Sequence, residues 1–304
     1  MSNLATLIVN PTVGGAQRLT RRLPEMVRLL NAEGFEVRVR QTTSLSDSAA
    51  VLSAGARDSA LVLACGGDGT VHGVVQGLAR GSAPLGIVPL GTANALARNL
   101  EIPMEPVAAL KKLLTYEPRR IPLGEMTSSK ETSLFAVMAG CGPDGALVHT
   151  LSRSHKSRLG RTAYYAQAAR LFLTRQWPAF AVEYRMAGSA DWVQVEAAAV
   201  LASRVPDLGG LFSSLTPLAT MTSPHLHVHL LRTPAHLSLP AWFALSRTAL
   251  PNPYLQTLDV EELRCTPLTG PTVRAQVDGE PAGSLPMSLR MVPDALSLLM
   301  PREA

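Results

Sequence analysis

The chain has 304 residues, 46% of them hydrophobic and 17% charged, which is enough apolar material for one large domain or two ordinary ones. It contains no apolar run long enough to cross a bilayer, and it begins with a strand-like run where a secreted protein would carry a signal peptide. The net charge of +5 is compatible with anionic phosphates or an anionic membrane surface, and no nucleic-acid-binding motif is present.

The first part of the chain alternates between strand and helix patterns. Apolar runs indicate the strands, and apolar residues at helical spacing indicate the helices between them. The predicted strands are 4–9, 35–40, 61–65 and 85–88, and the predicted helices are 19–30, 49–56, 71–80 and 95–99. This alternation predicts an α/β domain with a largely parallel sheet.

Three polar turns each follow one of these strands, at residues 10–15, 66–70 and 89–94. In an open parallel sheet, such turns all lie at the carboxyl edge, where ligands bind. The three turns are therefore predicted to converge in space although they are far apart in sequence.

The second turn reads Gly66-Gly67-Asp68-Gly69-Thr70. Glycines let the backbone approach an anion closely, and the amide groups that begin the following helix favour a phosphate. A carboxylate in such a loop repels phosphate unless it holds a metal or orients a donor, so Asp68 suggests a site for a nucleotide with Mg²⁺. The alternative is a tight turn that needs glycine, with Asp68 capping the helix.

The pattern changes near residues 118–122, which we interpret as a hinge. Beyond it, short alternating segments dominate and one clear helical pattern remains. The predicted strands are 180–185, 193–202, 226–231, 273–277 and 288–292, and the helix is 161–173. This part is predicted to be a mostly antiparallel β domain, a sandwich or an open barrel. The predicted domains are therefore 1–121 and 122–304.

Four motifs in this order carry a resemblance to a known family. They are Asn10-Pro11 with Gly14, the turn 66–70, the segment 89–98, and Val277-Asp278-Gly279-Glu280. Together they resemble the diacylglycerol kinase catalytic-domain family of bacterial lipid kinases, which includes relatives of sphingosine kinase. The resemblance runs over nearly the whole chain. NAD kinases and phosphofructokinases share the glycine turn, but the four motifs together are specific.

The resemblance implies a nucleotide-binding domain like that of phosphofructokinases and NAD kinases, followed by a β-sandwich domain that holds lipid, with ATP between them. The implied nucleotide-binding residues are Asn10, Thr12, Gly14, Thr42, Gly66, Gly67, Asp68, Gly69, Thr70, Thr92 and Asn94. Asp68 would act at the phosphates or at the Mg²⁺ that accompanies ATP.

The resemblance also implies catalytic residues, with Asp68 among them. Glu280 matches the position of a general base, and Asp278 lies beside it. Burial can raise the pKa of such a carboxylate toward the working pH. Without the upstream motifs, an exposed hairpin turn would be the favoured interpretation of Asp278-Gly279-Glu280. In the second domain, the residues that match the family are Asp144, Lys156, Gly160 and Tyr164.

Several positions depart from the family pattern. Ala95 and Gly73 stand where carboxylates are usual, and so do Ser223 and His227, where the family holds a structural Mg²⁺. We therefore expect no structural Mg²⁺ there. Three alternate histidines, His225, His227 and His229, predict the polar face of a half-buried strand in preference to a transition-metal site.

The first hypothesis is a kinase that uses ATP and Mg²⁺ to phosphorylate a hydroxyl of a membrane lipid, with diacylglycerol as the first acceptor. The protein is expected to be cytoplasmic, with reduced thiols at Cys65, Cys141 and Cys265, and to dock peripherally at the inner membrane face. The alternatives are a non-catalytic relative that binds lipid or nucleotide as a regulator, and a NAD kinase. The sequence encodes neither the lipid acceptor nor the oligomeric state.

Overall fold

The computed structural model describes residues 3–12, 14–42, 59–153, 177–209, 215–232 and 255–302, without the side chains of 151–153. The helices predicted at 49–56 and 161–173 lie outside these residues. The chain divides into two compact units. Unit 1 comprises Met1–Leu123, Asp207–Phe212 and Val292–Ala304, and unit 2 comprises Gly124–Pro206 and Ser213–Met291. Two segments of unit 1 thus lie outside the N-terminal range predicted from the sequence.

Unit 1 is built on a parallel sheet. Its strands are β1 (Leu4–Val9), β2 (Glu36–Gln41), β3 (Leu61–Gly66) and β4 (Leu85–Pro89), in the order β2-β1-β3-β4. β4 pairs in parallel with the last part of β15 (Met287–Met300) through Leu85 and Leu298. β3 and β4 are buried along their whole lengths, as expected for inner strands of a parallel sheet. The predicted α/β architecture is confirmed.

The described helices of unit 1 are α1 (Ala16–Ala32), α2 (Asp68–Leu78), α3 (Ala95–Asn99) and α4 (Pro106–Leu113). α1 runs through Pro24 and buries Leu19, Met26 and Leu30. α2 begins three residues before its predicted start, so Asp68 lies in its first turn. α4 was not predicted; Pro106 is its first residue, and Glu105 caps it by accepting the Ala108 N–H at 2.8 Å.

Every pairing described within unit 2 is antiparallel, which confirms the predicted β-rich second part. The main path of the sheet runs β14-β13-β7-β10-β11-β12-β15, with β8 and β9 added at β12 and β6 added at β5. β5 and β15 have residues in both units. The elements are β5 (Glu117–Ser128), β6 (Thr132–Phe135), β7 (Met138–Cys141), α5 (Pro143–Arg153), β8 (Phe180–Met186), β9 (Trp192–Ala197), β10 (Ala199–Ser203), β11 (Leu226–Leu231), β12 (Leu255–Pro267), β13 (Arg274–Val277) and β14 (Glu280–Ser284).

Three local predictions are wrong. Residues 118–122, interpreted as a hinge, lie within the continuous strand β5. The predicted strand 193–202 is two strands, β9 and β10, which Ala198 separates. β11 is buried on both faces, whereas its histidine face was predicted to be half-exposed. β11 lies between β10 and β12, and the Nδ1 atoms of His227 and His229 contact polar side chains of β12.

Two further findings concern the cysteines and the helices. Cys65, Cys141 and Cys265 are buried free thiols. Burial raises the pKa of the Cys65 thiol to about 12. Among the residues described above, no helix is both long enough and apolar enough to cross a membrane.

Candidate active site

The three polar turns of unit 1 converge, as predicted. β1, β3 and β4 are neighbours, so the turns that follow them meet at one edge of the sheet. The Asn10 N–H donates to the Cys65 carbonyl at 3.3 Å, and the Leu90 N–H donates to the Gly66 carbonyl at 2.8 Å. The Asn10 amide also donates to the Thr70 hydroxyl at 3.4 Å. The first turn therefore contacts the second, and the third continues the same edge.

Asp68 ties the second turn to the third. Its Oδ2 accepts the Asn94 N–H at 2.8 Å, and its Oδ1 accepts the Ala95 N–H at 2.7 Å. Asp68 thus lies in the first turn of α2 but supports the start of a different helix, α3. Both donors are backbone N–H groups, so this connection does not depend on the side chain at position 95. A direct role of Asp68 at phosphate or Mg²⁺ stays a prediction.

Asn94 shapes the third turn from within. Its backbone has a φ of 48°, a left-handed conformation that asparagine tolerates better than most residues. Its Oδ1 accepts the Gly91 N–H at 2.9 Å, and its Nδ2 donates to the Gly91 carbonyl at 2.8 Å. The side chain is buried. Asn94 therefore supports the predicted site by closing the turn.

Three glycines of these turns are required by close packing. A Cβ on Gly91 would lie 2.7 Å from the Gly67 Cα, and a Cβ on Gly15 would lie 2.7 Å from the Leu90 carbonyl oxygen. A Cβ on Gly66 would overlap the Thr70 side chain. Gly14 differs, because a Cβ there would meet no described atom within 4 Å. The open space beside Gly14 is where a ligand could approach the backbone.

The remaining predicted nucleotide residues lie at the same edge with different exposure. The Thr12 N–H and hydroxyl both donate to the Asn10 side-chain oxygen, at 2.9 and 2.7 Å, which forms a small turn. Thr12 and Thr92 are exposed, whereas Gly69 is half-buried in the first turn of α2. Thr42 is buried directly after β2, and its N–H donates to the Val9 carbonyl at 2.9 Å.

This edge has the chemistry to hold a nucleotide. The N-cap residue of α2 is Gly67, which has no side chain to cap the first amide groups, and this is the arrangement that favours phosphate. Within the described ranges, no group of three or more His, Cys, Asp or Glu side chains is placed to hold a metal ion.

Asp278, Gly279 and Glu280 form part of a tight hairpin in unit 2. Asp278 and Gly279 have φ values of 47° and 80°, and Val277 pairs with Glu280, which is the geometry of a two-residue turn. The Asp278 carboxylate is buried and accepts N–H bonds from Ala136, Val137 and Met138, at 3.2, 2.9 and 3.0 Å. Asp278 therefore anchors the hairpin, which leaves the half-buried Glu280 as the better candidate for a general base.

Gln276, which the sequence analysis missed, connects this hairpin to Asp144. Its Oε1 accepts the Gly279 N–H at 2.9 Å, and its Nε2 donates to the Asp144 carboxylate at 3.1 Å. Burial raises the pKa of Asp144 to about 6. Its Oδ1 is buried with no hydrogen-bond partner among the described residues. No sequence motif marks Gln276; only its complete burial on β13 reveals it.

Other predicted residues of unit 2 have structural partners or lie outside the described part. The His227 imidazole contacts the Asp259 carboxylate at 2.9 Å, and the His229 imidazole contacts the Thr257 hydroxyl at 3.1 Å. The imidazole of His149, on α5, contacts the Ala275 carbonyl oxygen at 3.1 Å. Lys156, Gly160 and Tyr164 lie outside the described residues.

The residues at the predicted structural-metal position do not fit Mg²⁺. Ser223 and His227 offer a hydroxyl and an imidazole where Mg²⁺ prefers carboxylates. The carbonyl oxygens of Ser223 and His225 accept hydrogen bonds from the Arg204 guanidinium. Two of the oxygens that this segment could offer a metal are thus already directed at a cation.

Two relatives are similar to this chain in sequence. A diacylglycerol kinase of Bacillus subtilis is 25% identical over 306 residues, which cover 98% of this chain and 97% of that protein. A Pseudomonas aeruginosa protein named "Probable lipid kinase YegS-like" is 42% identical over 134 residues, which cover 43% of each chain.

Two solved structures have a similar fold. A diacylglycerol kinase from Bacillus anthracis has a TM-score of 0.74 at 19% identity, with 98% of this chain and 97% of that chain covered. Yeast NADH kinase has a TM-score of 0.54 at 12% identity, with coverages of 98% and 84%. These likenesses confirm the predicted fold class.

The model of the diacylglycerol kinase catalytic domain matches residues 4–126. These residues contain all three converging turns and Asp68. Over residues 4–126, the chain is therefore similar to the diacylglycerol kinase catalytic domain.

Proposed function

We propose that this protein is an ATP- and Mg²⁺-dependent lipid kinase that phosphorylates a hydroxyl of a membrane lipid. Diacylglycerol is the acceptor that we favour. The observation that carries the proposal is the convergence of the three turns at one sheet edge, held by Asp68 and by the close approach of Gly67 and Gly91. The names of the relatives support the same class of reaction.

Unit 1 supplies the residues proposed to bind ATP. The backbone of Gly14, the turn 66–70 and the amide groups at the start of α2 would receive the phosphates, which need donors at close range. Mg²⁺, when bound with ATP, would neutralise charge on the transferred phosphoryl group. The rigid connections among Asp68, Gly91 and Asn94 would keep these donors in place without reorganisation during the reaction.

Unit 2 supplies the proposed base. The γ-phosphoryl group moves from the oxygen of ADP to the oxygen of the lipid hydroxyl, and the hydroxyl proton passes to the Glu280 carboxylate. Asp278 would hold the hairpin through its three N–H bonds, and Gln276 would fix Gly279 next to Glu280. Phosphoryl transfer depends mainly on alignment, so this anchoring matters more than further acid or base groups.

The test measures transfer of labelled γ-phosphate from ATP, with Mg²⁺, to diacylglycerol, monoacylglycerol, sphingosine, ceramide and polyprenol in mixed micelles, and to NAD. Wild type is compared with Glu280→Gln and with Glu196→Gln, an exposed control in the same unit. We expect one lipid to be labelled, an about 10²- to 10⁴-fold loss in Glu280→Gln, and no loss in the control.

Two outcomes would replace the proposal. Labelling of NAD without labelling of any lipid would make the protein a NAD kinase. Binding of ATP or lipid without transfer would indicate a non-catalytic regulator, in keeping with Gly73 and Ala95 at usually acidic positions.

A further inference from the structure

Arg204 is one of the largest fully buried side chains described in this protein, with 1% of its surface exposed. It follows β10 directly, and β10 pairs with β11 through Ser203 and His227. Burying a guanidinium costs free energy unless its donors are satisfied, so its partners reveal its role.

The guanidinium points at the backbone of one turn. Its Nη1 donates to the carbonyl oxygens of Ser223 and His225, at 2.7 and 3.1 Å, and its Nη2 donates to the carbonyl of Met221 at 2.5 Å. Burial lowers the pKa of Arg204 to about 10, so the side chain remains charged at neutral pH. Three carbonyl dipoles from alternate residues thus converge on a single positive charge.

Convergent backbone carbonyls around a buried positive charge are also how proteins hold hard metal ions. Here the turn 221–225 precedes β11, and the Ser223 hydroxyl reinforces it by accepting the His225 N–H at 3.1 Å. We infer that the positively charged Arg204 guanidinium stabilises this turn of unit 2 in the way that a bound divalent metal ion would. Unit 2 therefore folds and keeps its stability without a structural metal ion.

The same residue connects the turn to the proposed catalytic hairpin. The Arg204 N–H donates to the Val137 carbonyl at 2.8 Å, and the Val137 N–H donates to the Asp278 carboxylate at 2.9 Å. A disturbance at Arg204 would therefore reach Asp278 through one residue. The role of Arg204 in stability does not depend on the proposed kinase activity.

The first test uses the wild-type protein alone. Its thermal unfolding midpoint is measured in buffer, with excess EDTA, and with millimolar Mg²⁺, and its metal content is measured by elemental analysis. We expect the same midpoint in all three conditions and no stoichiometric divalent metal. A midpoint that falls with EDTA and recovers with Mg²⁺ would overturn the inference.

The second test removes the charge. Arg204→Met keeps much of the volume but leaves three buried carbonyls without the guanidinium, and we expect the midpoint to fall by about 10 °C. Arg204→Lys keeps the positive charge but lacks the planar guanidinium, so its midpoint should lie between those of wild type and Arg204→Met. The control is Arg232→Met, an exposed arginine of the same unit, which should stay within about 2 °C of wild type.

An unchanged midpoint in Arg204→Met would refute the role of Arg204. If that variant does not fold, Arg204→Lys and the EDTA comparison still decide the question, because neither depends on it. All samples lack nucleotide and lipid, so the result is independent of whether the kinase assay succeeds.

Discussion

Two carboxylates of the candidate site accept hydrogen bonds from backbone amide groups. Asp68 accepts N–H groups from the start of α3, and Asp278 accepts three from residues 136–138. A carboxylate that receives several N–H bonds stabilises a fold because it satisfies donors that would otherwise be buried without partners. At the level of single residues, Asp68 and Asp278 therefore both stabilise the fold.

Asp68→Asn should destabilise the protein by about 1 to 3 kcal/mol, because an asparagine presents one acceptor and one donor to two N–H groups. The free energy of unfolding in urea measures this, with the exposed Asp294→Asn as control. An Asp68→Asn protein as stable as wild type but inactive would instead assign the carboxylate to the ligand alone.

Asp278→Asn should lose about 2 to 3 kcal/mol of stability for the same reason, whereas Glu280→Gln should keep the stability of wild type and lose activity. Thermal unfolding and kinase assays of both variants separate the two roles. Asp191→Asn, exposed in the same unit, is the control. A stable but inactive Asp278→Asn would show that Asp278 takes part in the chemistry.

At the scale of elements, the site depends on how closely turns approach each other. The third turn touches the second through Gly91 and Gly67, and Asn94 closes it. The first turn leaves space at Gly14, whereas Gly15 beside it packs against Leu90. Glycine thus permits close packing at Gly91 and Gly15, and leaves space for a ligand at Gly14.

Gly91→Ala and Gly14→Ala should therefore differ in kind. In Gly91→Ala, the added methyl lies 2.7 Å from the Gly67 Cα, so the backbone must shift, at a cost of about 1 to 3 kcal/mol. Gly14→Ala should keep the stability of wild type but raise the KM for ATP about tenfold, which corresponds to about 1.4 kcal/mol of lost binding. Equal KM values for Gly14→Ala and wild type would show that phosphate does not approach there.

β11 supplies a prediction about pH. Burial, with a smaller effect of the neighbouring His227, lowers the pKa of His229 to about 3, so the folded state keeps it neutral while the unfolded state takes up a proton below pH 6.5. The contribution of neutral His229 to the free energy of unfolding is therefore present above pH 6.5 and is lost as the pH falls below it. Between pH 7 and pH 5, wild type should lose about 2 kcal/mol that His229→Gln does not lose. Parallel urea-unfolding curves for the two proteins would contradict this.

Sequence reasoning succeeded where a pattern has a local cause. The parallel strands, the convergence of the turns and the β-rich second part follow from periodicity and from turn residues. It failed where contacts are long-range. The burial of β11 depends on β12, the roles of Gln276 and Arg204 depend on backbone groups far along the chain, and the strand through residues 118–122 continues across two prolines.

For the molecule as a whole, we propose that the net charge of +5 favours docking on an anionic membrane. We expect co-sedimentation with vesicles that contain phosphatidylglycerol at low salt, and weaker binding to phosphatidylcholine alone. Raising the salt from about 0.05 M to about 0.5 M should release the protein, because it shortens the range of electrostatic attraction. Equal binding to both vesicles at both salt concentrations would contradict an electrostatic contribution.

Asp68 binds the start of α3 through main-chain amide groups. This affects which sequence pattern identifies relatives of this protein. Any residue except proline offers an amide at position 95, so the connection survives a change from an acidic residue to alanine there. A search pattern that demands a carboxylate after Asn94 would reject chains whose third turn has the same shape. A pattern that requires Asp68, Gly91 and Asn94 instead would retain them, since these residues make the contacts that determine the turn.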